Sequence, residues 1–279
     1  MSHIHLSDSD LPDVNRFFAV DEVEQPNRLV QFLDVAKALP GMRNAKTEML
    51  ARLDPQRAAT ALDVGCGYGA DVIELAARLK PGGRATGIDI SDTMIAEAKR
   101  RATGTRLNVT FRTGDALALP LEDDTVDICR IETVLHHLGD PETVIKEMAR
   151  VTRPGGRIAA LEFDLETMYL DHPDTELTDT IFASYLHETV QASMGRQLLR
   201  LFAKAGVTEL TSAPRVITAH PDFLRLAVGY HVDRLCANGA FTPDRAAGWW
   251  TAMEEDAACG YYTAGGITFV VSGTVGRAV

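Results

Sequence analysis

Residues 61–71 read ALDVGCGYGAD. Four residues suited to a buried strand run directly into glycines at 65, 67 and 69. An apolar helical pattern then follows through Val72, Leu75, Ala76 and Leu79. A glycine lets the backbone turn tightly, or approach a ligand that a Cβ would block. The turn alone admits two other readings. It could be a plain strand-to-helix connection, or the dinucleotide fingerprint, since Gly65, Gly67 and Ala70 fit G-x-G-x-x-A.

The flanking residues separate these readings. Asp63 lies inside the strand, two residues before the first glycine, where a dinucleotide enzyme needs no carboxylate. It can accept from loop amides or meet an ammonium group. A second strand, 85–90, ends in GIDIS, and an acid at Asp89 can take both ribose hydroxyls of an adenosine. Gly114-Asp115-Ala116 follows a third strand at 109–112 and places a carboxylate beside the adenine side. Singly these are weak: Asp89 could equally cap the next helix, and Asp115 could equally sit in a turn.

Outward from this centre, strands at 126–131 and 157–163 alternate with helices, the last of them capped at Asp140-Pro141. Five strand–helix alternations predict right-handed crossovers and a doubly wound, mostly parallel α/β sheet. Two helical patterns precede it, through Leu29, Phe32, Leu33 and Ala36 and through Met42, Ala45, Met49 and Leu50. After Phe163 the alternation breaks: residues 165–194 fit no strand. Helices resume at 198–205, at 223–235 and, after Thr242-Pro243, through 257, and a last strand covers 267–272. The organisation expected is an N-terminal helical lid at 1–54, polar and mobile over residues 1–24, and a catalytic domain at 55–279. Residues 165–194 and about 220–258 are helical cap insertions.

The motifs DVGCGYGAD, GIDIS, GDALALP, VDICRIETVLHHLGDP and RPGGRIAALEF are similar, in order and spacing, to class I S-adenosylmethionine-dependent methyltransferases. The ubiquinone and menaquinone branch is nearest, over roughly residues 55–165. GRQLLRLFAKAGV and the C-terminal WWTAMEEDAACGYYTAGGITFVVSG more weakly resemble an actinobacterial set of such enzymes. The resemblance implies a Rossmann-like, seven-stranded sheet whose final strand enters antiparallel between two others. It implies S-adenosyl-L-methionine as cofactor, with Gly65, Cys66, Gly67 and Gly69 around the methionine moiety and Asp63 facing its ammonium. Asp89 would hold the ribose with Ile90 against the adenine. Gly114, Asp115 and Ala116 would meet the adenine edge, and Ile131 and Glu132 would lie near the sulfonium.

Such a transfer is an in-line displacement that needs alignment above all. A base is required only where the acceptor loses a proton, and His136, His137 and His187 are the candidates. His137 matches a histidine frequent in the family; packing against the loop is an equal reading. Tyr169, Tyr185, Tyr261 and Tyr262 could line an acceptor pocket or belong to the core. Arg43 and Lys46 could reach the methionine carboxylate, but a solvated helix face is the better expectation. Trp249 and Trp250 cannot both face the core of one helix, so one is expected to touch a partner or lid.

Composition bounds the rest. With 46% hydrophobic and 24% charged residues the chain reads as globular, and a net charge of −11 argues against nucleic acid as a partner. The four cysteines show neither a disulfide framework nor zinc spacing, so no metal is expected. No apolar run is long enough to span a bilayer and MSHIHLSDSDLPD resembles no signal peptide, so a cytoplasmic protein is expected. The expected partner is a small organic acceptor, methylated on O, N or C, in secondary metabolism, with a homodimer left open. An NAD-type oxidoreductase is the alternative, though no Tyr-x-x-x-Lys pair follows the fourth or fifth strand. A non-catalytic S-adenosylmethionine-binding protein is the second.

Overall fold

The computed structural model describes residues 11–276; the first ten residues of the stretch expected to be polar and mobile lie outside them. Seven strands form one sheet in the order β3-β2-β1-β4-β5-β7-β6. They are β1 (Thr60–Val64), β2 (Arg84–Asp89), β3 (Val109–Thr113), β4 (Val126–Glu132), β5 (Thr152–Leu170), β6 (Val207–Thr218) and β7 (Ala264–Val275). Strands β1 to β5 pair in parallel, and β7 runs antiparallel between β5 and β6. The chain winds outward from β1 to β3 and then restarts at β4 on the other side of β1. That reversal opens a crevice above the carboxyl ends of β1 and β4.

Alternate residues of the central strands feed two cores. Ala61, Ile128 and Ala159 face α2 (Pro40–Leu53), α3 (Ala70–Arg78) and α4 (Asp92–Ala102) through Met49, Leu75 and Ile95. Leu62, Val64 and Ile131 face α5 (Pro141–Val151) and α7 (Met194–Lys204) through Val144, Met148 and Phe202. Both faces are covered, which is why these strands read as continuous apolar runs. Side chains start two of the helices locally: Ser91 Oγ accepts from Met94 N at 3.1 Å, and Asp140 Oδ1 from Thr143 N at 3.1 Å.

The remaining helices build a cap. Helices α6 (Thr175–Glu188), α8 (Pro221–Ala237) and α9 (Pro243–Cys259) share a core of Ile181, Tyr185, Leu224, Val228, Trp249 and Met253. Trp249 is fully buried, its indole N–H donating to Thr178 Oγ1 at 2.9 Å, while Trp250 lies under the Arg225 guanidinium. Before α1 (Pro26–Ala38), residues 14–22 form a 3₁₀ strap with Val14 and Val20 buried. Packing orders this part of the N-terminal stretch. Helix α2, expected in the lid, belongs to the sheet's own covering layer.

One expectation is corrected, and one strand is found where none was read. Residues 165–170 continue β5 instead of leaving the sheet: pairing with β7 slips after Asp164 and resumes at Tyr169 opposite Gly265. Strand β6 shows no strand pattern in the sequence. It is an edge strand, so only Val207, Ala213 and Ile217 are buried and Pro214, which has no N–H, is tolerated.

Candidate active site

A cavity of about 260 Å³ crosses the carboxyl ends of β2, β1, β4 and β5, beneath the strap, α1 and α8. Of the residues expected at the cofactor, Asp63, Gly65, Cys66, Gly67, Asp89, Ile90, Gly114, Asp115, Ala116 and Glu132 line it. Two do not. Gly69 packs under Phe111 and Ala98, where a Cβ would collide, and so serves the close approach of α3 to its neighbours. Ile131 points to the opposite sheet face.

Gly67 has a left-handed φ of +51°, and a Cβ there would meet only Leu33. The loop backbone therefore faces open cavity, as a bound ligand requires. The loop is held from below by Asp89, whose carboxylate accepts from Gly67 N at 2.7 Å and Ser91 N at 3.0 Å. Burial pushes this carboxyl up, and those two amides pull it back. A carboxylate has about four acceptor sites, so capacity remains for hydroxyls. Asp115 is exposed at the rim and accepts from Leu117 N at 2.9 Å, the turn contact that its position allowed. The Cys66 thiol is raised by burial and is an inert lining group.

Behind the loop lies an ion network that the sequence did not disclose. Arg130, fully buried on β4, sits 3.2 Å from Asp63 and pairs with Glu132. Lys46 is buried, not solvated, and reaches Asp71 at 2.9 Å and Glu132 at 2.6 Å; Lys37 adds a second contact to Asp71 at 2.8 Å. Arg43 is exposed on the far side of α2, outside the cavity. Three cations thus face three carboxylates, the arrangement that makes buried charge tolerable. Burial nevertheless pushes the Asp63 carboxyl up to about 7, against the pull of Arg130. Asp71 goes the other way: burial opposes it, but Arg130, Lys46 and Lys37 hold it low. The Arg130 atom that faces Asp63 at 3.2 Å is Nε, an ion-pair contact without a hydrogen bond's alignment. The visible clue was an arginine in the otherwise apolar run of β4.

The other half of the cavity is aromatic and aliphatic: Phe17, Phe32, Phe182, Tyr185, Phe223 and Met168 among others. Its polar groups include a histidine pair and Asp164, which is paired with Arg196. Buried His136 places Nδ1 2.8 Å from Glu162, a fully buried carboxylate that also accepts from Val134 N and Leu135 N at 2.7 Å each. That contact orients the His136 ring on Glu162. The His137 ring lies tilted against His136, centroids 3.9 Å apart, and burial together with that neighbour holds its pKa well below the usual value. Tyr169 and Tyr185 line the cavity; Tyr261, Tyr262 and His187 do not. Glu162 lies in the quoted β5 motif, but its role depends on a contact 26 residues away.

One further group gathers away from the cavity. Asp13, Glu188 and His231 bring ligand atoms within 4.8 Å, a cluster no spacing announced. Arg234 already pairs with Glu188, and Asn15 Nδ2 lies 3.2 Å from His231 Nε2. These contacts fasten the strap to α6 and α8.

Comparison with known proteins agrees with this geometry. A family model described as a methyltransferase domain matches residues 55–206, more than half of the chain. A demethylmenaquinone methyltransferase of Halalkalibacterium halodurans is 32% identical over 186 residues, covering 61% of this chain and 76% of that protein. An uncharacterised 37.1 kDa protein of a Streptomyces fradiae transposon is 38% identical over 186 residues, 66% of this chain, and the match spans 54% of its length. Among solved structures, the YcgJ protein of Bacillus subtilis superposes with a TM-score of 0.57 at 17% identity, covering 85% of this chain and all of that one. The chain belongs to the methyltransferase-domain family and is an S-adenosylmethionine-dependent methyltransferase.

Proposed function

We propose that this chain methylates a small, largely apolar organic acceptor, with S-adenosylmethionine held at the glycine-loop end of the cavity. The observation that carries this reading is the division of one cavity. One end has a glycine cradle, a strand-end carboxylate and a charge-balanced network; the other has aromatic walls around a histidine pair and an Asp164 neutralised by Arg196. Gly65 and Gly67 would take the methionine backbone, Asp63 and Glu132 its ammonium, and Arg130 or Lys46 its carboxylate. Asp89 would hold the ribose, with Ile90 and Asp115 at the adenine. The donor supplies an electrophilic methyl group on a sulfonium. This chain's share is alignment and exclusion of water, to which the strap and cap contribute by covering the strand ends.

Among its lining residues the aromatic half holds no lysine or arginine; those cations, Lys37, Lys46 and Arg130, are all engaged at the other end. An uncharged acceptor fits such a chamber better than a carboxylate or phosphate, whose desolvation would go uncompensated. The demethylmenaquinone methyltransferases act, by their name, on a ring compound of the same apolar kind. For a hydroxylated acceptor, His136 Nε2 is the group able to receive the proton, with Glu162 holding the ring in place.

The test is direct. Purified protein should show a raised melting temperature with S-adenosylhomocysteine and none with NADH. With S-adenosylmethionine and a panel of neutral phenols and enols it should form S-adenosylhomocysteine. His136→Asn should depress kcat by about 100-fold with little change in donor affinity. Stabilisation by NADH, or turnover confined to anionic acceptors, would refute the assignment.

A further inference from the structure

The donor end of the cavity is strapped over, with its mouth at the rim where Ile90 and Asp115 are exposed. Val20 of the strap packs against Tyr68 of the glycine loop and Met94 of α4. Asp21 then fastens the strap to the start of α4, accepting from Ser91 Oγ at 2.7 Å, Asp92 N at 3.0 Å and Thr93 N at 3.1 Å. An acceptor arriving after the donor would find this side occupied and strapped down.

The opposite end is built differently. Asp89 on β2 and Tyr169 on β5 stand three strand steps apart, roughly 14 Å at the usual strand spacing. Tyr169 lines the cavity and is still 38% exposed, so the cavity reaches solvent there. The slip in β5–β7 pairing lies beside it. Residues 165–168 bulge out of register, pinned by Thr167 Oγ1, which donates to Asp164 O at 2.6 Å and accepts from Ile267 N at 2.8 Å. The bulge turns Leu165 and Met168 into the cavity and re-aims the strand end, a recognised use of such irregularities.

Facing them, β7 presents Gly265 and Gly266, which also line the cavity. A Cβ at Gly265 would come within 2.8 Å of the Tyr169 hydroxyl, so the phenol ring lies directly over a bare backbone. That hydroxyl has no hydrogen-bond partner among the described residues. Tyr169 is thus a large side chain at a rim, against a smooth glycine wall, with nothing tying its polar end.

We propose that Tyr169 guards a second mouth through which the acceptor enters while the donor occupies the glycine-loop end. Tyr169 thereby sets the size of acceptor admitted. This rests on the assignment of the two cavity halves made above, and deepens it by separating the routes of the two substrates. Tyr169 acts on access and fit, not on the reacting atoms.

The test uses a neutral fluorescent probe, N-phenyl-1-naphthylamine, with the full chain saturated in S-adenosylhomocysteine. Stopped-flow fluorescence gives the probe's on-rate for the wild type, Tyr169→Ala and Tyr169→Trp. The probe should bind the loaded protein. Its on-rate should rise about fivefold for alanine and fall about fivefold for tryptophan. S-adenosylhomocysteine affinity should stay within about twofold, since the sites are well separated. Leu224→Trp, which fills the cavity interior, should abolish the signal and so show that the probe sits inside. Loss of probe binding on saturation with S-adenosylhomocysteine, or on-rates indifferent to both substitutions, would overturn the second mouth. Failure of S-adenosylhomocysteine itself to bind would instead strike the cofactor assignment on which it rests.

Discussion

Asp89 carries two duties at once, and a mutation will show both. Its carboxylate braces the glycine loop through Gly67 N and starts the α4 turn through Ser91 N, while its spare lone pairs face the cavity. Asp89→Ala should weaken S-adenosylhomocysteine binding by about 1.5–3 kcal/mol, the range for hydrogen bonds to a charged group. Calorimetry on the folded variant measures it, and unchanged affinity would remove Asp89 from the ribose. Asp63 offers a pH signature. Its carboxyl is pushed up to about 7 by burial, whereas an unfolded chain releases that proton near 3.9. Between those values the folded protein binds the extra proton, so this group's contribution to stability declines as pH rises through the window. A bound ammonium favours the carboxylate and reverses the preference at the site. Affinity for S-adenosylhomocysteine should therefore strengthen from about pH 6 to about pH 8. Asp63→Asn should flatten that dependence, as isothermal titration at several pH values would reveal.

At the scale of elements, the strap is the part whose removal should separate folding from turnover. Its ends are tied to different bodies: Asn15 to His231 of the cap, and Asp21 to the first turn of α4. Hydrogen bonds from Thr93, Ser91 and Asp92 hold the Asp21 carboxyl down at about 2, so it stays ionised across any working pH. Helix α2 keeps its place under the sheet without the strap, because Met42, Ala45 and Met49 belong to the main core. Removing residues 1–23 should leave the domain folded and lower turnover about tenfold through lost alignment. Asp21→Asn, a milder change, should speed S-adenosylhomocysteine release about two- to fivefold, the range for one charge at a helix N-terminus. A truncated chain as fast as the intact one would show that the strap plays no part in closure.

Taken as a whole, the molecule places one continuous site at the topological switch between β1 and β4, with the cap grown from the later part of the chain. Nothing in that site gathers metal ligands. The one cluster of ligand type among the described residues, Asp13, Glu188 and His231, ties strap to cap, and Arg234 engages Glu188. Burial also lowers His231 to about 4, so it is neutral at ordinary pH. Methyl transfer should therefore proceed undiminished in EDTA. Activity lost on chelation and restored by magnesium or zinc would reveal a metal requirement that this arrangement does not account for.

The class of fold and the donor half of the site were legible in the amino-acid order because their physics is local. A strand that runs into GCGYG must turn there, and an acid two residues past the next buried strand interior must stand at its carboxyl end. Position along three successive βα units is enough to put Gly67, Asp89 and Asp115 on one rim. Only the tertiary structure decided the groups whose role is set by a distant partner. Arg130 is an oddity in an apolar run until Asp63, 67 residues earlier, lies beside it, and Lys46 is a surface lysine until Asp71 and Glu132 draw it inward. Strand β6 is unreadable because an edge buries too few of its residues to leave a pattern. The β5 bulge is equally silent, since the slip that turns Met168 and Tyr169 toward the acceptor exists only against β7, about a hundred residues further on. Local turns and buried runs are written in neighbours along the chain; register, charge pairing and the shape of a cavity come from neighbours in space.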